Sequence, residues 1–114
     1  MRRTMLVCVR GRQEGKTTAL LDWMCAKDKP TNEVRMGVFI RGDLAMGALR
    51  QARAEGRMVE SWQFVSQHEI TSHGIWSAIR GDIVVGLDDL DIMLDSGIRA
   101  RWPVGFVTIT GELV

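Results

Sequence analysis

Apolar positions fall along the chain in five patches separated by turn residues. Thr4 to Val9 is a short, partly β-branched run ending in a polar, Gly-containing stretch, which predicts a buried strand. From Thr17 to Lys27, Leu20, Leu21, Met24 and Cys25 share one helical face, with Asp22 and Lys27 off it. Lys29-Pro30-Thr31-Asn32 then breaks the chain. Val34 to Ile40 predicts a second strand, followed by Arg41-Gly42-Asp43. Asp43 is placed to cap a helix over Leu44 to Glu55, striped by Leu44, Ala45, Ala48, Leu49 and Ala52, with Gly56 as its stop.

Periodicity is weaker from Arg57 to Arg80, where Trp62, Phe64 and Val65 suggest a short strand and Ile75 to Ile79 a helical turn. Asp82 to Leu87 is a nearly continuous apolar run ending in Asp88-Asp89, the pattern of a central parallel strand buried on both faces. Leu90, Met93 and Leu94 mark a short helix stopping at Gly97, and Val104 to Thr110 reads as a last strand after the Trp102-Pro103 breaker. Strands alternating with helices imply right-handed crossovers. The expected fold is therefore α/β, with a mostly parallel sheet of four to five strands covered on both faces. No repeat at solenoid spacing is visible.

Length and composition narrow the partners. The 114 residues suffice for one domain, 1–114, without a second core. A hydrophobic fraction of 46% excludes a disordered tail. The net charge of +1 gives no bulk attraction for a polyanion. The apolar run after Met1-Arg2-Arg3-Thr4 is broken by Arg10, too soon for a signal peptide or a membrane span, so a cytoplasmic protein with no membrane partner is expected. Cys8 and Cys25 form no spaced framework and read as reduced, buried small hydrophobes.

The sharpest chemical signal is Arg10-Gly11-Arg12-Gln13-Glu14-Gly15-Lys16-Thr17-Thr18, lying between the first strand and the first helix. A loop there can wrap a phosphate chain: Gly15 lets backbone N–H groups approach, and the helix start offers unpaired N–H groups and the positive end of its dipole. Lys16 would reach the β- and γ-phosphates, and the Thr17 hydroxyl would sit on Mg²⁺.

These residues resemble the Walker A motif of P-loop NTPases, in the RGRQEGKT form similar to phage terminase large subunits and helicase-like ATPases. Arg10 stands where the GxxxxGK[ST] pattern has its first glycine, and Gly11 comes one position late. Ile83-Val84-Val85-Gly86-Leu87-Asp88-Asp89 is similar to Walker B. The resemblance implies a minimal P-loop three-layer sandwich of the RecA-like division. Its strand order would be first, last, acidic and second, without the usual outer strand because the chain stops at Val114. It implies Mg·ATP as ligand or substrate, bound by Gly11, Arg12, Gln13, Glu14, Gly15, Lys16, Thr17 and Thr18. Thr17 and Asp88 would hold the metal. Lys16 would stabilise the transferring phosphoryl group and Asp89, in place of the usual Glu, would activate water, with Glu14 a second candidate. Arg12 is the foremost arginine finger, ahead of Arg41, Arg99 and Arg101. Thr110 matches a γ-phosphate sensor by position. No NKxD signature is present, which favours ATP over GTP.

Competing readings are simpler. Asp89 could be the N-cap of a helix over Leu90 to Asp95, leaving Asp88 exposed. The four tryptophans, Trp23, Trp62, Trp76 and Trp102, read first as core or interface residues. Trp62 or Trp76 could stack on nucleic-acid bases, but neither is interleaved with Lys or Arg. His68 and His73 lack the spacing of a metal pair. Beside an ATPase, the sequence accommodates a weakly catalytic P-loop scaffold that oligomerises, or a subunit docked on DNA or a larger nucleic-acid-processing assembly.

Overall fold

The computed structural model describes residues 6–10, 15–70, 81–89 and 104–110. Its five strands are β1 (Leu6–Arg10), β2 (Glu33–Phe39), β3 (Phe64–Ser66), β4 (Asp82–Leu87) and β5 (Val104–Thr110). They form one sheet in the order β1-β5-β4-β2-β3, every pairing parallel. The helices are α1 (Lys16–Met24), α2 (Gly42–Ala54) and α3 (Gln67–Ile70). The protein is thus an α/β fold with a parallel sheet, and its first four strands in spatial order follow the expected sequence. The expected turn at Ile75 to Ile79 and helix near Leu90 lie outside the described residues, as do Trp76 and Trp102.

Alternation along the strands sorts the core into two sheets of contact. One face carries Val84, Phe106 and Phe39 against Leu20, Leu21, Trp23 and Met24 of α1 and Ala45, Ala48, Leu49 and Ala52 of α2. The other buries Met36, Val38, Val65, Val85, Leu87 and Val107. β4 lies between β5 and β2, which explains why its sequence is apolar at successive positions.

Several boundaries differ from the sequence reading. β1 is an edge strand rather than a buried one: among the described residues it pairs only with β5, and Leu6 and Val7 are each 52% exposed. Helix α1 ends at Met24, before Lys27, and Trp23 joins its buried face. Helix α2 starts at Gly42, with Arg41 rather than Asp43 at the N-cap. The Asp43 carboxylate instead accepts from Arg41 Nε at 3.0 Å, which holds its pKa below the usual range. The end of α2 follows the expectation closely. Arg57 N–H donates to the Ala52 carbonyl at 3.0 Å and Gly56 N–H to that of Arg53 at 3.1 Å, a Schellman closure. Cys8 and Cys25 are free thiols, half-buried rather than fully buried. Among the described residues no helix is long and apolar enough to cross a membrane.

Trp23 fixes how closely α1 approaches the sheet. Its ring stacks on Phe106 with centroids 5.7 Å apart, and the Arg35 guanidinium sits 4.7 Å from its centroid. A Cβ at Gly86 would come within 2.6 Å of Leu20 Cδ1 and 2.8 Å of Trp23 Cζ3. One at Gly105 would meet Val84 Cγ1 at 2.6 Å and Trp23 Cζ2 at 2.8 Å. Gly105 is also the extra residue where the β4–β5 register slips between Val85 and Gly86. The two glycines therefore open the floor on which Trp23 lies, and Leu20 and Trp23 of α1 pack onto β4 and β5 there.

Candidate functional site

The site forms at the carboxyl edge of the sheet, where β4 ends beside the start of α1. Gly15 precedes α1 with φ 80° and ψ 29°, a left-handed conformation that a residue with a Cβ adopts only at a cost. The first bond of the helix runs from Ala19 N–H to the Gly15 carbonyl at 3.0 Å. The N–H groups of the first turn consequently precede the helical ladder, at the positive end of the dipole. Gly11, Arg12, Gln13 and Glu14, which complete the predicted loop, lie outside the described residues.

Lys16, the first residue of α1, makes a salt bridge through Nζ to Asp89 Oδ1, 73 positions along the chain. Their side chains are only 14% and 18% exposed, so the pair is largely withdrawn from water. Thr17 follows on the same helical turn. The Thr18 hydroxyl accepts from Gln51 Nε2 at 3.1 Å, which ties the start of α1 to α2.

Asp88 is 8% exposed, contrary to the reading that leaves it in solvent. Its main chain is anchored by N–H donation to the Val38 carbonyl of β2 at 2.9 Å. Its carboxylate accepts from the Thr108 hydroxyl of β5 at 2.6 Å. Burial pushes its pKa up; the Thr108 hydrogen bond opposes this, the Asp89 charge adds to it and the Lys16 charge opposes it. Asp89 has φ 57°, in the left-handed region, whereas an N-cap residue is ordinarily extended. Its N–H donates to the Thr108 hydroxyl at 2.8 Å. That backbone shape speaks against the simple helix-cap reading; the helix it would cap lies outside the described residues.

Thr108, fully buried, thus serves both aspartates at once, donating to one side chain and accepting from the next main-chain amide. Thr110, the γ-phosphate-sensor candidate on the same strand, has its side chain outside the described residues. The available signal for Thr108 is a second hydroxyl, two positions before Thr110, in a strand whose remaining residues are apolar or glycine. Among the arginine candidates, Arg12, Arg99 and Arg101 lie outside the described residues, and Arg41 is exposed and paired with Asp43.

The donor set suits a hard divalent cation in one respect and lacks a complete cage in another. A buried carboxylate whose charge is penalised by desolvation and by a neighbouring carboxylate gains from an added cation. Yet among the described residues no group of three His, Cys, Asp or Glu side chains converges. Such a site fits Mg²⁺ that draws its remaining ligands from phosphate and water, the usual habit of that ion. No family model matches the chain, and neither a curated protein nor a solved structure matches it.

Proposed function

We propose that the protein binds Mg·ATP at this edge and hydrolyses it as a minimal P-loop ATPase. The observation that carries the reading is the meeting of Lys16, at the start of α1, with the Asp88-Asp89 pair at the end of β4. Residues 11–18 would wrap the phosphates. Lys16 would leave Asp89 for the β- and γ-phosphates. Thr17 and Asp88 would hold Mg²⁺, which when bound neutralises charge on the phosphoryl oxygens. Asp89, released from Lys16, would orient a water and take its proton, with Arg12 as the source of further positive charge. The expected stronger term is electrostatic, since the pair is shielded from solvent.

A second reading is a P-loop scaffold that binds without appreciable turnover, acting through oligomerisation or on a nucleic-acid assembly. The observation favouring it is that Asp89, already one methylene shorter than Glu, is engaged by Lys16. Steady-state phosphate release, with and without single- and double-stranded DNA, separates the two. The ATPase reading predicts turnover that Lys16→Ala abolishes and that Asp89→Asn lowers by about 100-fold or more, the usual weight of a general base. Binding of Mg·ATP with no phosphate release by the unaltered protein would leave the scaffold.

A further inference from the structure

A second concave region lies away from this site, about 12 Å along α1 from Lys16 given the rise of a helix. The C-terminal end of α1, the start of β2 and the turn after α2 enclose a groove of about 850 Å³. Six of its lining side chains decide its chemistry: Lys27, Lys29, Arg35, Arg57, Met58 and Trp62. The two arginines are answered within the chain. Arg35 Nε donates to Glu33 at 2.6 Å and an Nη1 to the Trp23 carbonyl at 2.7 Å. Arg57 bridges Glu55 and Asp22, each at 2.7 Å, and those carboxylates raise its pKa. Lys27 and Lys29 have no salt-bridge partner among the described residues.

Beside those cations the groove presents apolar surface. Met58 is 96% exposed and Trp62 38%. Trp62 is held on a rigid turn, Ser61–Gln63, closed by a reciprocal capping box with Glu60 and by Gln63 Nε2 donating to the Arg35 carbonyl at 3.0 Å. Tryptophan, methionine and arginine are the side chains enriched at protein interfaces, and a rigid tryptophan loses little entropy on contact. Methionine adapts to whatever side chain meets it.

We propose that this groove docks an acidic peptide segment of a partner protein, an apolar side chain lying on Met58 and Trp62 and flanking carboxylates on Lys27 and Lys29. A single-stranded nucleic acid fits less well. Glu33 lines the groove beside the lysines, so a continuous chain of phosphates along it meets a carboxylate as well as ammonium groups. A peptide places its charges singly and avoids it. The docking surface does not depend on nucleotide binding at the other edge.

Fluorescence anisotropy with the full chain tests this, using a fluorescein-labelled peptide that carries a leucine–phenylalanine pair flanked by glutamates. Two further probes are the same peptide with lysines for glutamates, and fluorescein-labelled oligothymidylate. Saturable binding of the glutamate peptide alone is expected, weakening as salt rises. The double substitution Lys27→Glu and Lys29→Glu should weaken it about tenfold, as should Trp62→Ala, with far-UV circular dichroism unchanged. No binding of the glutamate peptide, equal binding of the lysine peptide, insensitivity to both variants, or tighter binding of oligothymidylate would each overturn the proposal.

Discussion

The Thr108 hydroxyl lies between a buried carboxylate and a main-chain amide held in the left-handed region, and its two hydrogen bonds orient both. Thr108→Val keeps the shape and removes donor and acceptor together. The Asp89 N–H would then lack this partner, at a cost of about 1–3 kcal/mol measurable by urea unfolding. On the ATPase reading phosphate release should fall with it, and Thr108→Ser should restore both. Asp88 gives a prediction of opposite sign for stability. Its pKa is raised above the model-compound value of 3.8, so the native state holds that proton more tightly than the unfolded chain does. Stability therefore falls as pH rises from 3.8 through the raised value, and the ionised carboxylate is a net cost at neutral pH without a cation. Asp88→Asn should raise neutral-pH stability by about 1 kcal/mol, roughly 4 °C in Tm, while abolishing any gain from Mg·ATP. A lowered Tm in the nucleotide-free variant would show that the carboxylate is not under strain. At this scale the sequence made the aspartates and Lys16 visible through local pattern, but not Thr108. A threonine is ordinary in a strand, and its role depends on β5 lying beside β4.

Among the elements, the bounds of β4 and β5 agree with the alternation and apolar runs that predicted them, because both strands carry strong β-branched sequence bounded by breakers. The start of α2 differs because the helical backbone already includes Gly42 and Asp43, which puts Asp43 inside the first turn, where its carboxylate accepts from Arg41. The edge position of β1 was not legible because its residues are apolar on both faces, the pattern of an interior strand, although among the described residues it pairs on one side alone. The Gly86 and Gly105 floor was not legible at all, since it depends on Trp23 crossing two strands distant in sequence. That floor makes a direct test. Gly86→Ala would drive a methyl into Leu20 and Trp23, and the stability loss should be about 2 kcal/mol by urea unfolding. An unchanged midpoint would mean that α1 does not sit against β4 as described.

At the scale of the molecule, an all-parallel sheet brings the carboxyl ends of its strands to one edge, and the order β1-β5-β4-β2-β3 seats β5 between the strand before α1 and the strand ending in the aspartates. That order is why Thr108 can reach Asp88 while Lys16 reaches Asp89. Ligands of open α/β sheets collect at such edges. The opposite end of α1 carries the separate groove of Met58 and Trp62, so the two proposed surfaces can be disabled one at a time. Fold class was legible because hydrophobic period and the alternation of strands with helices point to a parallel sheet, whereas the order of the first four strands followed only from the resemblance to P-loop proteins. What occupies the sites was not legible, because recognition depends on side chains that converge only after folding. Isothermal titration calorimetry with ATP in the presence and absence of Mg²⁺ tests the account most directly. The account predicts one saturable site per chain, dependent on Mg²⁺ and lost in Lys16→Ala; absence of heat from the folded, unaltered protein would contradict it.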